Sequence, residues 1–229
     1  MNNSRLRLYV DSQFSSPYAM SAFVVLREKG IEFEMSPLNL EAHENQSEAY
    51  ASLSQTQRVP TLVHGDFALS ESSAITEYLE DVFPQSPVYP QDLWLHAKAR
   101  QVQAWLRSDL LPIRQERSTL VVFYGLKSKP LSPEAESAAR KLFGAAQTLL
   151  ADNPEYLFGQ WSIADVDLAL MLNRLILNGD SVPPRAGGVR TAPMATTNRT
   201  GVGQIATSSD VAARQHYNRR KRSQARYIQ

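Results

Sequence analysis

The 229 residues, 43% of them apolar, suffice for two modest domains or one large one, and no apolar run reaches the ~18–20 residues a membrane-spanning helix needs. The net charge of +1 joins two unlike parts: residues from Val182 onward carry eight Arg and one Lys against Asp210 alone, and residues 1–181 carry 15 basic and 22 acidic side chains. Cysteine is absent, which excludes disulfides, thiolate metal sites and a mixed disulfide formed by the protein itself.

The opening "MNNSRLRLYVDSQ" lacks the apolar core of a secretory signal, so the expected compartment is the cytosol. Within it "LRLYV" (6–10) predicts a short buried strand. "SQFSSPYAMSAFVVLREKG" then predicts a buried helix from Pro17 to Lys29, with Ser16 as N-cap, Pro17 at the first helical position and Gly30 just past the end. A hydroxyl at that place either caps the helix or helps its free N–H groups hold an anion, and the stretch alone leaves both open. "IEFEMSP" (31–37) alternates as a half-buried strand does, and residues 41–56 have only weak helical character. "VPTLVHGDFALS" reads as two strands joined at Gly65-Asp66, and "ESSAITEYLEDVFP" as a helix stopped by Pro84. Strand, helix, strand, irregular helix, hairpin and helix make a small α/β layer over residues 1–83.

"PQSPVYPQ" (84–91) is a proline-rich linker and the expected domain boundary. Beyond it, residues 92–181 predict helices only. Leu95, Val102, Leu106, Leu110 and Ile113 trace one face of a long helix starting at Trp94. Ser132-Pro133-Glu134 opens a second helix, and Ser162 with Asp165 forms a capping-box spacing before the apolar run of a third. His43, His64, His96 and His216 are scattered without ligand spacing, so no metal is expected. Neither a phosphate-cradling glycine loop nor a Gly-x-Ser-x-Gly elbow occurs.

Four motifs stand in order: Ser16-Pro17-Tyr18, Arg58-Val59-Pro60-Thr61, Glu71-Ser72-Ser73-Ala74-Ile75 and Ser162-Ile163-Ala164-Asp165. Each is weak alone. Together, with a proline-rich linker between a mixed half and a helical half, they make the chain resemble the glutathione S-transferases over roughly residues 5–182, most of all a cytosolic bacterial member of the serine-using kind. The resemblance implies a thioredoxin-like N-terminal domain with a mixed four-stranded sheet, followed by an α-helical bundle. It also implies a homodimer with glutathione as co-substrate. The activity implied is attack of the glutathione thiolate on a small hydrophobic electrophile, with reduction of organic hydroperoxides as a second activity of related transferases.

The same resemblance assigns roles. A cis Pro60 would expose the peptide of Val59, whose N–H and C=O pair with the cysteinyl unit of glutathione as an added strand pairs with a sheet edge. From residue type alone, Pro60 also suits a trans proline at a strand start. Ser72 would receive the γ-glutamyl carboxylate at a helix N-terminus and Glu71 the ammonium beside it. Capping by Ser70 or Ser72 is compatible with that, since a cap leaves other N–H groups free. The family's catalytic serine donates to the sulfur; Ser16 is the match and Ser15 its rival, while Tyr18 is a weaker candidate that suits packing.

Lowering a thiol pKa from ~8.5 to ~6.5 raises the thiolate fraction at pH 7 about 25-fold, and a Brønsted slope of ~0.45 takes back roughly 8-fold as lost nucleophilicity. The net gain is about threefold, so most acceleration must come from placing the thiolate against a bound electrophile. That assigns specificity to the helical domain. Phe14, Trp105, Ile113 and Tyr124 lie in the segments that would wall the pocket, though each also suits the core. Trp161, Ser162 and Asp165 read as packing and folding elements.

From Val182 on there is no Leu, Phe or Trp, and the composition is too polar to bury an ordering core where the family continues with amphipathic helix. The segment 182–229 reads either as a basic tail for nucleic acid or another polyanion, with "RQHYNRRKRSQAR" as its footprint, or as the product of a reading frame shifted near Pro183. Apart from that tail, neither nucleic acid nor membrane is an expected partner. The missing cysteine argues against glutaredoxin-like or omega-like thiol transfer, and the serine-cysteine signature of a zeta-type isomerase is absent. A non-catalytic binding protein on the same fold is the rival of another class; a lapsed site has no need of Ser16, Val59, Pro60, Glu71 and Ser72 together.

Overall fold

The computed structural model describes residues 5–151 and 155–183. The basic-tail and shifted-frame readings fall almost wholly on residues outside these.

The first half runs β1 (Leu6–Asp11), α1 (Pro17–Glu28), β2 (Phe33–Leu38), a single 3-10 turn (Glu44–Gln46), α2 (Glu48–Ala51), β3 (Thr61–His64), β4 (Phe67–Ser70) and α3 (Ser72–Val82). The sheet order is β2-β1-β3-β4; β1 and β2 are parallel, with α1 as their crossover, and the other two pairings are antiparallel. Leu6, Leu8 and Val10 alternate onto the buried face of β1. α1 buries residues all round its axis because it is enclosed: it lies on β1, against α3, and against α8 (Ile163–Ile176) of the helical half. Its end is sealed as the sequence predicts. Gly30 takes φ 65°, its N–H bonds to the Arg27 carbonyl at 3.0 Å, and the Ile31 N–H bonds to the Leu26 carbonyl at 3.0 Å.

Residues 84–91 are a packed joint. Val88 and Tyr89 are buried, the Ile163 N–H donates to the Val88 carbonyl at 2.9 Å, and Glu80 accepts from the N–H groups of Val88 and Tyr89. Lys29 completes the joint by pairing with Glu80 at 2.6 Å and donating to the Phe83 and Ser86 carbonyls.

The second half is helical: α4 (Leu93–Ser108), α5 (Leu111–Glu116), α6 (Leu120–Tyr124), α7 (Pro133–Leu149) and α8. The single long helix predicted through Ile113 is broken. α4 stops at Ser108, Leu110 takes φ 61°, and α5 starts anew. Pro112 supplies the reason: inside a continuous helix its ring would meet the Ser108 carbonyl and its missing N–H would leave a gap. Leu110 and Ile113 are buried all the same, so the spacing foretold burial while misplacing the helix. α6 had no sequence signal. α7 starts at Ser132, whose Oγ accepts from the Ala135 N–H at 3.2 Å. At α8, the Asp165 carboxylate accepts from the Ser162 N–H (2.9 Å), the Ser162 hydroxyl (2.8 Å) and the Leu157 N–H (2.8 Å), while burial pushes its pKa up. Among the described residues no helix is long and apolar enough to cross a membrane.

Candidate active site

The N-terminus of α1 is organised by one carboxylate. Asp11, buried at the end of β1, accepts from the Ser15 N–H (2.8 Å), the Ser15 hydroxyl (3.1 Å) and the Ser16 N–H (3.0 Å). These bonds hold residues 12–16 over the sheet's end, with Phe14 at φ 51°. The two serines consequently differ. Ser15 is buried and spends its hydroxyl proton on Asp11, whereas Ser16 Oγ only accepts, from the Ala19 N–H at 3.2 Å. A hydroxyl has one proton to donate and two lone pairs, so Ser16 caps α1 and still has its proton for a ligand.

The Val59–Pro60 peptide is cis. Around it a buried hydroxyl cluster fixes the chain: Tyr50 donates to the Arg58 carbonyl at 2.7 Å and Thr61 donates to the same carbonyl at 3.1 Å. Burial pushes the Tyr50 hydroxyl pKa up, so it stays a donor at neutral pH. Neither the N–H nor the C=O of Val59 takes part in the loop and cap hydrogen bonds.

Glu71, where β4 turns into α3, sits at φ 72°, ψ 116°, a conformation side-chain-bearing residues rarely adopt and one of order ~1–3 kcal/mol unfavourable. Its carboxylate is exposed and no side chain caps α3. Ser72 is buried, and its Oγ accepts from Arg107 Nε (3.1 Å) and Nη2 (3.0 Å). With Arg107 filling the acceptor side, the Ser72 proton is committed to no acceptor among the described residues.

Arg107, on α4, is the hub that connects the halves. It pairs with Asp167 of α8 at 3.1 Å, donates to the Gln103 carbonyl at 3.0 Å, contacts Ser21 of α1 at 3.4 Å and lies 5.7 Å from the ring centre of Tyr18. Asp167 also accepts from Gln103 at 2.7 Å; Gln103 accepts from Tyr89 at 2.7 Å, and Tyr89 meets Thr76 of α3 at 2.7 Å. The chain of bonds therefore runs from α3 through the joint, α4 and α8, and returns to α3 at Ser72. Burial raises the Tyr89 pKa far above its usual value, which keeps that link neutral.

Between the halves lies a narrow cleft, partly open to solvent, where Pro17 and Tyr18 of α1 face Leu106 and Arg107 of α4 and Asp167, Leu170, Met171 and Arg174 of α8. Of the predicted wall residues none lines this cleft. Ile113 is fully buried, Phe14 and Trp105 pack against the core, and Tyr124 donates to the Gln13 carbonyl, tying α6 to the loop before Ser15. Tyr18, expected to pack, does line it. Asp11, Arg107, Asp167 and Arg174 escaped the sequence reading. For α8 a signal was there: Asp167, Leu170, Met171 and Arg174 are spaced i, i+3, i+4, i+7 on one face of an otherwise apolar helix. Among the described residues no group of three or more acids or histidines is placed to hold a metal ion.

Comparison with known proteins agrees with this architecture. The family model of the glutathione S-transferase N-terminal domain matches residues 6–81, and that of the C-terminal domain matches residues 92–206. The chain is 32% identical over 171 residues to glutathione S-transferase 1 of Dianthus caryophyllus, covering 72% of this chain and 75% of that one. It is 31% identical over 171 residues to human glutathione S-transferase theta-1, covering 70% and 69%. A crystal structure of a glutathione transferase homologue from Burkholderia, with bound glutathione, is 43% identical with a TM-score of 0.67, covering 82% of this chain and 92% of that one. The chain belongs to the glutathione S-transferase family, enzymes whose co-substrate is glutathione.

Proposed function

We propose that Ser16 activates the glutathione thiolate for attack on a small hydrophobic electrophile held in the cleft beside Tyr18. The observation that carries this reading is the unequal use of the two serines: Ser15 gives its proton to Asp11, and Ser16 keeps its own. The Ser16 hydroxyl donates to the sulfur and favours the charged form, helped by the partial positive charge of the α1 N-terminus. Val59 offers its peptide as a strand edge to the cysteinyl unit. Ser72, oriented by Arg107, and the uncapped N–H groups of α3 receive the γ-glutamyl carboxylate, and Glu71 receives the ammonium. In this assignment Glu71 takes φ 72° because that conformation presents its carboxylate and the α3 amides together.

The chemistry is acyl-free. The sulfur forms one bond to the electrophilic carbon, whose leaving group departs or whose double bond takes up a proton from water. The same thiolate would attack the terminal oxygen of an organic hydroperoxide, with a second glutathione as the reductant that closes the cycle. The reading includes a serine-type bacterial enzyme of the cytoplasm, two domains divided at residues 84–91, and a homodimer. In support of the dimer, Leu93 and Trp94 at the start of α4 are 81% and 84% exposed, which is unusual for side chains of that size.

A titration of the thiolate absorbance with saturating glutathione tests the assignment. In the wild type the apparent pKa is expected well below ~8.5; Ser16→Ala returns it toward ~8.5 and lowers kcat/KM at pH 7 about threefold, the net worth of the lost activation. Ser15→Ala should leave the pKa nearly in place. If Ser15→Ala abolishes the shift and Ser16→Ala does not, the roles are reversed.

A further inference from the structure

The cleft holds two guanidiniums and one carboxylate, and the carboxylate is taken. Asp167 is spent on Arg107 and Gln103. Arg174, two turns along the same face of α8, is 5% exposed, forms no ion pair among the described residues, and uses a single donor, Nη1, on the Arg117 carbonyl at 2.6 Å. Its neighbour Arg117 shows the contrast: buried more deeply still, it is held bidentately by Asp180 at 2.6 Å on both nitrogens. Buried arginines are paired as a rule, because an unpaired charge forfeits its hydration and gets nothing back. Burial in the first place, with Arg114 adding to it against the opposing effect of Tyr18, brings Arg174 down to about 10, so it remains a cation at neutral pH. A guanidinium has five N–H donors in a planar fork, and four here are open to a partner that brings negative charge.

We propose that Arg174 is a specificity-determining residue that selects electrophiles carrying a carboxylate, which docks on the guanidinium while the apolar part of the molecule lies against Tyr18, Leu170 and Met171. The inference deepens the proposed function and rests on its placing of the electrophile in this cleft. Every feature needed is in the wall: an apolar surface for the reacting portion, a buried cation for the acid group, and no free acid to repel it. A carboxylate taken up there replaces the missing counter-ion and forms the charge-assisted, bidentate contact that Arg favours.

The test compares 4-oxo-4-phenylbut-2-enoate with its methyl ester as glutathione acceptors. Thiolate adds across the double bond and the neighbouring carbon takes a proton from water, so no oxidant or reductant is needed. For the wild type, KM for the acid should lie roughly 10–100-fold below that for the ester, the range for a hydrogen-bonded charge. Arg174→Gln should collapse that preference through KM, with kcat for the acid moving much less, and Arg174→Lys should restore part of it. A parallel titration by calorimetry uses the saturated, unreactive 4-oxo-4-phenylbutanoate and its methyl ester on glutathione-loaded protein. Acid preference in that titration without any turnover would sink the thiolate reading and leave the Arg174 assignment standing. Equal binding of acid and ester by the wild type overturns the assignment whatever the turnover, and this outcome does not depend on any variant folding. It is likewise overturned if Arg174→Gln raises KM for glutathione and leaves the acid-to-ester ratio as it was, because the guanidinium would then serve a carboxylate of glutathione.

Discussion

The N-termini of α1 and α3 both present a serine, and they are built in opposite ways. At α1 everything is local: Asp11, Ser15, Ser16 and Ala19 lie within nine consecutive residues, and the helix is capped, so the site and the stability of the helix come from the same bonds. At α3 nothing local serves. No side chain caps the helix, Glu71 is held at φ 72°, and Ser72 depends on Arg107, 35 residues away, which in turn depends on Asp167, a further 60 along. A capped N-terminus is a stable end with one spare proton. An uncapped one keeps its N–H groups for an anion and must be held in shape from outside, here by the other half of the molecule.

That difference can be broken at α3 alone. Arg107→Gln should cost about 2–3 kcal/mol of stability, somewhat under the ~3–5 kcal/mol of a fully buried pair, because Arg107 is 15% exposed against 7% for Asp167 and Gln103 still donates to the carboxylate. The same variant should raise KM for glutathione about 10-fold, as expected for one lost hydrogen bond that orients a charged ligand, and leave the thiolate pKa nearly where it was. Denaturant melts and glutathione kinetics read both effects; a large thiolate shift in this variant would show that the two ends are not independent.

At α1 the complementary pair is Ser16→Ala and Ser16→Gly. Alanine removes both cap and donor, and should cost ~1 kcal/mol of stability, whereas glycine is a tolerable cap and should cost only a few tenths. Both should lose thiolate activation equally, so thermal melts separate the serine's structural work from its chemical work. Equal melting temperatures with unequal thiolate shifts would contradict the assignment.

The smallest expected effect is a gain. Glu71→Gly removes the penalty of a left-handed non-glycine residue and should stabilise the protein by up to ~1 kcal/mol, while binding glutathione more weakly. If stability falls instead, Glu71 makes a contact that outweighs its backbone strain.

What was legible in the sequence is what short-range forces decide. β1, α1 with its serine cap and glycine stop, the hairpin at Gly65-Asp66, the start of α7 at Ser132 and the Ser162–Asp165 box all appear within a residue or so of their expected places. Each depends on hydrogen bonds spanning a few residues or on an apolar period that one face of an element must satisfy. The α4–α5 break was misread for a related reason: Leu110 and Ile113 keep a helical spacing because they share a core, and burial follows the core even where the backbone turns away at Pro112.

The unequal hydrogen bonding of Ser15 and Ser16 needed only one fact beyond the sequence, that the end of β1 brings Asp11 under both serines. Arg107, Asp167 and Arg174 needed the whole tertiary structure. As sequence they are ordinary charges on two helices 60 or so residues apart. Their meaning arises once α1, α4 and α8 close on one another, because only then is water excluded, a pair forced between Arg107 and Asp167, and Arg174 left buried with no counter-ion among the described residues. Local order is set by neighbours along the chain, whereas the solvation of a charge is set by what packs around it, and that is known only when the halves have met.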